Sequence, residues 1–234
     1  MRETGGMSID TPKPADMRIS YDKDQLLESD LADTPLAQFS KWLSDAVALG
    51  PETLIEPNAM VIGTSDEHGQ VHTRSVLLKG VDERGLTFFT NYGSRKAQDM
   101  EENSSISVTF PWYPLHRQVN VVGTVTKVSR EESEAYFRTR PHGSQLGAIV
   151  SAQSTIIDSR EILETKMSEL KAQYPEGSKI PMPDFWGGYL IAVESMEFWQ
   201  GRRSRLHDRL RFIKTGESSN LAEASAWHAV RISP

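Results

Sequence analysis

AMVIGTSDEHGQVHTRSVLLKGVDERGLTFFTN, residues 59–91, is the stretch that decides the fold. Apolar and polar residues alternate through Ala59–Ser65, the period of two that sends successive side chains to opposite faces of a strand. Asp66–Gln70 reads as a turn containing Gly69, Val71–Lys79 as a second strand, Gly80–Gly85 as a second turn and Leu86–Asn91 as a third strand. Three strands on such short connections predict a meander of antiparallel hairpins.

Outward toward the N-terminus the period becomes helical. Thr34 is placed to cap a helix and Pro35 suits its first position. Leu36, Phe39, Leu43 and Val47 share one face, and Gly50-Pro51 ends the run. Residues 1–33 are polar, with several Asp, Thr and Pro, and are expected to form a flexible arm. Toward the C-terminus, Ser94 is placed to cap a short helix ending near Asn103. Ser105–Trp112 and Gln118–Ser129 read as strands broken apart at Pro111 and Pro114. Ser129-Arg130-Glu131-Glu132 and Asp158-Ser159-Arg160-Glu161 have the form of capping boxes, the second opening a longer helix with Ile162, Met167 and Leu170 inward. A proline-rich loop, Pro175–Pro183, precedes a late hairpin of Tyr189–Trp199 and Leu206–Lys214. Residues 215–225 read as loose, and Trp227–Ile232 as a last strand. With no repeat and no linker, residues 34–234 are read as one domain of mainly β (α+β) class, a small antiparallel barrel with peripheral helices.

Composition narrows the function. The chain has 234 residues, 38% hydrophobic and 25% charged, which suits one soluble globular core. It has no cysteine, so disulfides, thiolate metal sites and a cysteine nucleophile are excluded. No apolar run reaches spanning length and the first residues lack the apolar core of a secretory signal, so a cytoplasmic protein is expected. A net charge of −6 disfavours nucleic acid and anionic membrane as partners. The basic residues nevertheless bunch: Arg74 with Lys79, Arg95 with Lys96, Arg138 with Arg140, then Arg202, Arg203, Arg205, Arg209 and Arg211. Such bunching suits small anionic ligands and equally describes scattered solvated charge. Dinucleotide, phosphate-loop and nucleophile-elbow motifs are missing. His68 and His72 flank a glycine turn, so they share no helical face and no metal site is expected.

Four segments carry chemistry. In Arg74-Ser75-Val76-Leu77-Leu78-Lys79, Arg74, Val76 and Leu78 face one way, and Ser75, Leu77 and Lys79 the other. The strand could lay a flat aromatic ligand along its backbone, or be a half-buried strand with charged ends. Phe89-Thr90-Asn91-Tyr92-Gly93-Ser94-Arg95-Lys96 runs from strand through glycine into a helix start, where free N–H groups, the helix dipole and two side-chain cations would favour a phosphate. Tyr136, Arg140 and Ser144 bring a phenol, a guanidinium and a hydroxyl within reach of a second anion. In Glu197–Arg209, an inward Leu206 on a strand would put Arg205, His207 and Arg209 on one face, where their charges need an anion or carboxylates.

Taken in order, these segments resemble the pyridoxine/pyridoxamine 5′-phosphate oxidase family. The resemblance runs from Glu56-Pro57-Asn58-Ala59 through Arg117-Gln118-Val119, Gln145-Leu146-Gly147-Ala148, Gln153-Ser154 and Phe185-Trp186-Gly187-Gly188 to Trp199–Arg209 and Arg231-Ile232-Ser233-Pro234. It implies an antiparallel split β-barrel of the FMN-binding type, working as a homodimer with FMN at the interface. By position it implies that Arg74, Ser75, Val76, Leu77, Leu78, Lys79, Phe89, Thr90, Ser94, Arg95, Lys96 and Gln118 hold FMN. Gln153, Ser154, Trp199 and Arg209 would join them from the other subunit. Lys79, Tyr136, Arg140 and Ser144 would grip the substrate phosphate, while Arg205 and His207, the expected catalytic pair, sit over the pyridine ring. The implied reaction turns pyridoxamine or pyridoxine 5′-phosphate into pyridoxal 5′-phosphate, with dioxygen reduced to hydrogen peroxide; the flavin supplies the redox chemistry. Ser75 departs from a usually apolar position, and residues 215–226 look peculiar to this chain. Two rivals are an oxidase of another ring, such as a phenazine precursor, and a non-catalytic flavin or pyridoxal-phosphate binder. The phosphate grip weighs against the first, Arg205 with His207 against the second.

Overall fold

The computed structural model describes residues 14, 17 and 19–234. Among the described residues nine strands form a single antiparallel sheet: β1 Ala59–Ser65, β2 Val71–Leu77, β3 Gly80–Asp82, β4 Gly85–Asn91, β5 Ser105–Trp112, β6 Arg117–Lys127, β7 Trp186–Gln200, β8 Asp208–Lys214 and β9 Trp227–Arg231. Their spatial order is β2-β1-β5-β6-β7-β4-β3, with β8 on β7 and β9 on β8. β2 and β3 sit at opposite ends of that path, yet only Leu78 and Lys79 separate them in the chain. So short a link forces the sheet to curl until its two ends meet, which makes the split barrel. The expected meander stops after its first hairpin: β4 pairs with β7, from Leu86↔Ile191 to Asn91↔Trp186, and not with β2. The segment read as the turn Gly80–Gly85 holds the short strand β3 and folds back on β4 at Asp82↔Gly85.

Alternation builds the core. Met60 and Ile62 of β1, Ile106, Val108, Phe110 and Trp112 of β5, and Val119, Val121 and Val125 of β6 all point inward and are buried. β7 is buried on both faces along much of its length, because the barrel covers one side and helices the other. Helix α1, Pro35–Ala48, starts as expected, with Thr34 Oγ1 accepting from Ala37 N at 3.2 Å. Its buried stripe is Phe39, Trp42 and Ala46 rather than one ending at Val47, which is 58% exposed. Trp42 meets Phe198 edge-on at 5.2 Å and Phe39 meets Phe110 at 5.1 Å. Burying each such ring contributes roughly 1.5–3 kcal/mol, and this anchors the helix across the barrel.

The remaining helices are α2 Arg95–Glu102, α3 Arg130–Thr139, α4 His142–Val150 and α5 Glu161–Gln173. Ser129 Oγ accepts from Glu132 N at 3.1 Å, as its box predicts. The Asp158 box does not cap α5, which begins after Arg160 with no side-chain cap; Met167 and Leu170 do face a second core of Phe137, Leu146, Ile180, Met182 and Trp186. α4 matches none of the expected helices. Of the arm expected over residues 1–33, residues 1–13, 15, 16 and 18 lie outside the described residues. Leu26 is buried, with its N–H on Asp208 Oδ2 at 3.1 Å, and Glu28 pairs with Arg231 at 2.6 Å. Residues 215–225 are also tied down: Leu221 is 0% exposed, its N–H bonds Glu83 O at 2.9 Å, and its carbonyl accepts from Leu36 N.

Candidate active site

The edge strand β2, the end of β4, the start of α2 and the α3–α4 junction enclose a cleft of about 710 Å³. Arg74, Ser75, Val76, Leu77, Lys79, Phe89, Thr90, Arg95, Lys96, Tyr136, Arg140, Ser144, Gln153 and Ser154 all line it. Three of the four sequence segments thus converge on one cavity, and Gln153 and Ser154, expected from the other subunit, line the cleft of their own chain. Leu78 turns into the barrel core, and Ser94 is fully buried behind the wall.

At the β2–α2 wall two neighbouring cations have opposite fates. Arg95 is neutralised: its Nη2 bonds Asp66 Oδ2 at 2.9 Å and its Nε bonds Asp99 Oδ1 at 2.8 Å. Lys96 is only 7% exposed, and its ammonium bonds three neutral oxygens, Gln153 Oε1 at 2.9 Å and Thr90 Oγ1 and Ser94 Oγ at 3.1 Å each. Ser94 therefore supports Lys96 rather than capping α2, whose start has no side-chain cap. Burial, and then the charge of Arg74, push the Lys96 ammonium down to about 8. Arg74 Nη1 donates to Thr64 Oγ1 at 2.6 Å, and Nη2 lies 3.7 Å from Asp99 Oδ2. Burial pushes the Asp99 carboxyl up, but bonds from Thr64 and Arg95, with the charges of His72 and Arg95, hold it below the usual carboxylate range. A buried cation with no carboxylate partner costs free energy unless an anion arrives.

The α3–α4 junction carries a second cation, half-buried and with no carboxylate partner among the described residues. The Arg140 guanidinium lies 4.7 Å from the Trp186 ring centre and 5.7 Å from that of Phe137, its Nη1 is buried without a hydrogen-bond partner, and burial pulls it below the usual arginine value. Between the two cations runs an aromatic wall. Phe89 stacks on Tyr136 with centroids 4.0 Å apart and on Trp186 at 5.6 Å. A glycine in β7 permits this: a Cβ at Gly188 would stand 2.7 Å from Phe89 Cε1. Ser144 lies in the first turn of α4 and Lys79 in the two-residue link between β2 and β3, both exposed to the cleft.

Residues 51–174 match the family model described as pyridoxamine 5′-phosphate oxidase, and residues 186–234 that described as pyridoxine 5′-phosphate oxidase C-terminal dimerisation region. The chain belongs to the pyridoxine/pyridoxamine 5′-phosphate oxidase family. It is 47% identical to a curated pyridoxine/pyridoxamine 5′-phosphate oxidase of Streptomyces avermitilis, over 94% of this chain and 96% of the relative. Among solved structures it is similar to PhzG from Burkholderia lata 383 in complex with tetrahydrophenazine-1-carboxylic acid, with a TM-score of 0.80, 26% identity, and 90% and 98% of the two chains covered. A pyridoxamine 5′-phosphate oxidase-related, FMN-binding protein of Nostoc punctiforme PCC 73102 shares the fold, with a TM-score of 0.63, 13% identity, and 85% and 96% covered.

The remaining expected residues of this oxidase-family chain lie outside the cleft lining. Gln118, Trp199 and Arg209 stand in register across β6, β7 and β8, and all but Gln118 fall within the dimerisation-region match. Arg205 ends a 3₁₀ turn, Arg203–Arg205, with φ of 56° at Ser204 and 64° at Arg205. This turn corrects the strand expected from Leu206: Leu206 is 71% exposed and β8 begins at Asp208, so Arg205, His207 and Arg209 share no strand face. Arg209 is satisfied within its own chain, bonding Glu197 at 2.8 and 3.1 Å and the Ser233 carbonyl at 3.0 Å. The His207 ring lies 4.6 Å from that of Trp199, and its Nδ1 accepts the Arg202 N–H at 3.0 Å. A neutral His207 therefore carries its proton on Nε2. Burial first, then Arg205, lower its pKa.

Trp186, Asn91, Gly147 and Ala148, which lie in quoted segments without an assigned role, also line the cleft, as does Ser151, which lies in none. Trp186 had a signal in Phe185-Trp186-Gly187-Gly188, but starting β7 at Tyr189 left it outside the strand. Asn91 ties β4 to the end of α4 through Ser151 O at 3.0 Å, a link between distant segments.

Proposed function

We propose that this chain binds FMN and oxidises the 4′ carbon of pyridoxamine or pyridoxine 5′-phosphate to the aldehyde, with dioxygen as final acceptor and hydrogen peroxide as co-product. The observation that carries this reading is a pair of cations that no carboxylate among the described residues pairs with, the buried Lys96 and the half-buried Arg140, on different walls of one cleft with stacked aromatic rings between them. Two phosphates and two flat ring systems are what such a cleft accommodates. The donor set fits FMN: Lys96, Arg74 and Arg95 would hold its phosphate, while the β2 backbone at Ser75–Leu77 with Gln153 and Ser154 would flank it. Bound FMN would accept the substrate hydride and pass the electrons to dioxygen.

Arg140, with Tyr136, Ser144 and Lys79, would hold the substrate phosphate. Because Arg140 lies against Trp186 and Phe137, it is already ordered, so the energy of that bond goes into fixing the reacting carbon. Trp199, Arg205, His207 and Arg209, all within the dimerisation-region match, would complete the cleft from a second copy of the chain, with Gln118 beside Trp199 in the sheet. Through Nε2, a neutral His207 donates a hydrogen bond, so it orients the substrate rather than removing its proton. Arg205 adds fixed positive charge beside it.

The test is direct. Purified protein is given FMN and then pyridoxine 5′-phosphate in air, while flavin absorbance, aldehyde and peroxide are followed. Flavin uptake with equal amounts of aldehyde and peroxide is expected; failure to take up FMN, or uptake without oxidation of the phosphate ester, refutes the proposal.

A further inference from the structure

Asp99 of α2 is fully buried, at 0% exposed, and does not line the cleft, yet four side chains close on its carboxylate. Thr64 Oγ1 donates to Oδ2 at 2.7 Å, His72 Nδ1 lies 3.1 Å from the same oxygen, Arg74 Nη2 is 3.7 Å away, and Arg95 Nε donates to Oδ1 at 2.8 Å. The Thr64 hydroxyl also accepts from Arg74 Nη1 at 2.6 Å, so one oxygen links Arg74 to the acid. The topology produces this meeting. β1 pairs with β2 so that Thr64 faces His72 and Ile62 faces Arg74, and β2 alternation turns His72 and Arg74 the same way, toward α2. Arg95 reaches Asp99 from one helical turn away.

We infer that Asp99 is the positioning residue of the cofactor-phosphate grip, holding the Arg74 and Arg95 guanidinium groups in place at the cleft wall. The inference rests on the FMN site proposed above. A long arginine side chain that must be ordered when the ligand arrives loses much of its binding advantage; one already tethered does not. Arg95 bonds Asp99 through Nε and Asp66 through Nη2, and Arg74 bonds Thr64 through Nη1, which among the described residues leaves Arg95 Nη1 and Arg74 Nε and Nη2 without a hydrogen bond and open to a ligand. Asp99 also places a negative charge near an anion site, so charge and tethering act in opposite directions. Tethering wins because the carboxylate is buried behind both arginines and already shared among their N–H groups.

Asp99→Asn keeps the shape and removes the charge, which separates the two effects. Ligand-free protein is titrated with FMN and with riboflavin, the same ring system without the phosphate. The expected result is an FMN Kd about tenfold higher, one charge-assisted bond's worth, with riboflavin unchanged. Tighter FMN binding would mean that Asp99 acts through charge alone, and parallel weakening of both ligands would mean a merely structural role; either overturns the inference. Thr64→Val, which removes the link to Arg74, serves if the first variant does not fold; it should show the same selective loss, about threefold, and equal discrimination to the parent overturns the inference. Lys96→Met in the same titration separates the levels. If it abolishes the preference for FMN while Asp99→Asn leaves it intact, the positioning role alone is refuted; if Lys96→Met leaves the preference intact, the phosphate site itself is misplaced.

Discussion

Replacing Lys96 by methionine should make the ligand-free protein more stable and its cofactor binding much weaker. The Lys96 ammonium falls from an ordinary 10.5 to about 8, mainly through burial and then through Arg74. That fall corresponds to about 3 kcal/mol against the charged form. The sign follows from proton counting. Below pH 8 both folded and unfolded chains carry the proton and the folded state bears the whole penalty. Between about 8 and 10.5 the unfolded chain binds a proton that the folded chain lacks, so stability rises with pH across that window. Methionine removes the penalty but leaves Thr90, Ser94 and Gln153 one donor short, which costs about 1–2 kcal/mol in total because Thr90 still bonds Gln153 at 3.0 Å. The net gain is about 1–2 kcal/mol, a rise of roughly 2–8 °C in Tm for a chain of this size. FMN, having lost its buried counter-charge, should bind about a hundredfold more weakly at pH 7. In the parent, FMN affinity should decline above pH 8 as Lys96 loses its proton, and in Lys96→Met that decline should vanish. Thermal unfolding in phosphate-free buffer and quenching of flavin fluorescence at pH 7, 8 and 9 measure both quantities. A variant that is less stable and binds FMN as tightly as the parent would refute the reasoning.

Further outcomes follow from the same geometry. Arg140→Ala should raise KM for the phosphate ester by about a hundredfold with kcat changed far less, and steady-state kinetics with an unchanged KM would remove Arg140 from the substrate grip. Arg205→Ala should lower kcat/KM with FMN retained. Mixing it with Lys96→Met should restore roughly a quarter of parental activity if each cleft is shared between two chains, and no restoration in dimers shown to exchange would refute the shared site. Gly188→Val should cost about 1–3 kcal/mol in urea unfolding and disturb the Phe89–Tyr136 stack, because its Cβ has only 2.7 Å to Phe89 and to Val128; parental stability would show that the strand has room to give.

How much of this molecule is legible in one dimension depends on the range of the interaction. β1 and β5 were read to the residue, because a strand with one face in a core must alternate, and alternation is written locally. α1 was read for the same reason at period 3.6, although its stripe passes through Trp42 and Ala46 instead of Val47, a rotation set by where Phe198 waits. α4 was missed because Pro141, Gly143 and Gly147 carry turn signals; packing of Leu146, Ala148 and Val150 outweighs their weak helix propensity. Residues 215–225 looked loose because a single buried anchor, Leu221, has no period at all.

The candidate site divides along the same line. Which cations, rings and hydroxyls meet was readable from four short segments, three of which share the cleft. By itself the sequence determined the strand periods, the helix starts and the stock of anion-binding groups, since each depends on neighbours within a few positions. Only the tertiary structure decided the sheet order, and with it the fates of two adjacent residues. Arg95 is neutralised by Asp66, 29 positions away, while Lys96 meets only uncharged oxygens, among them Gln153, 57 positions away. Charge compensation depends on distance in space, and a folded barrel brings together groups whose separation along the chain says nothing of it.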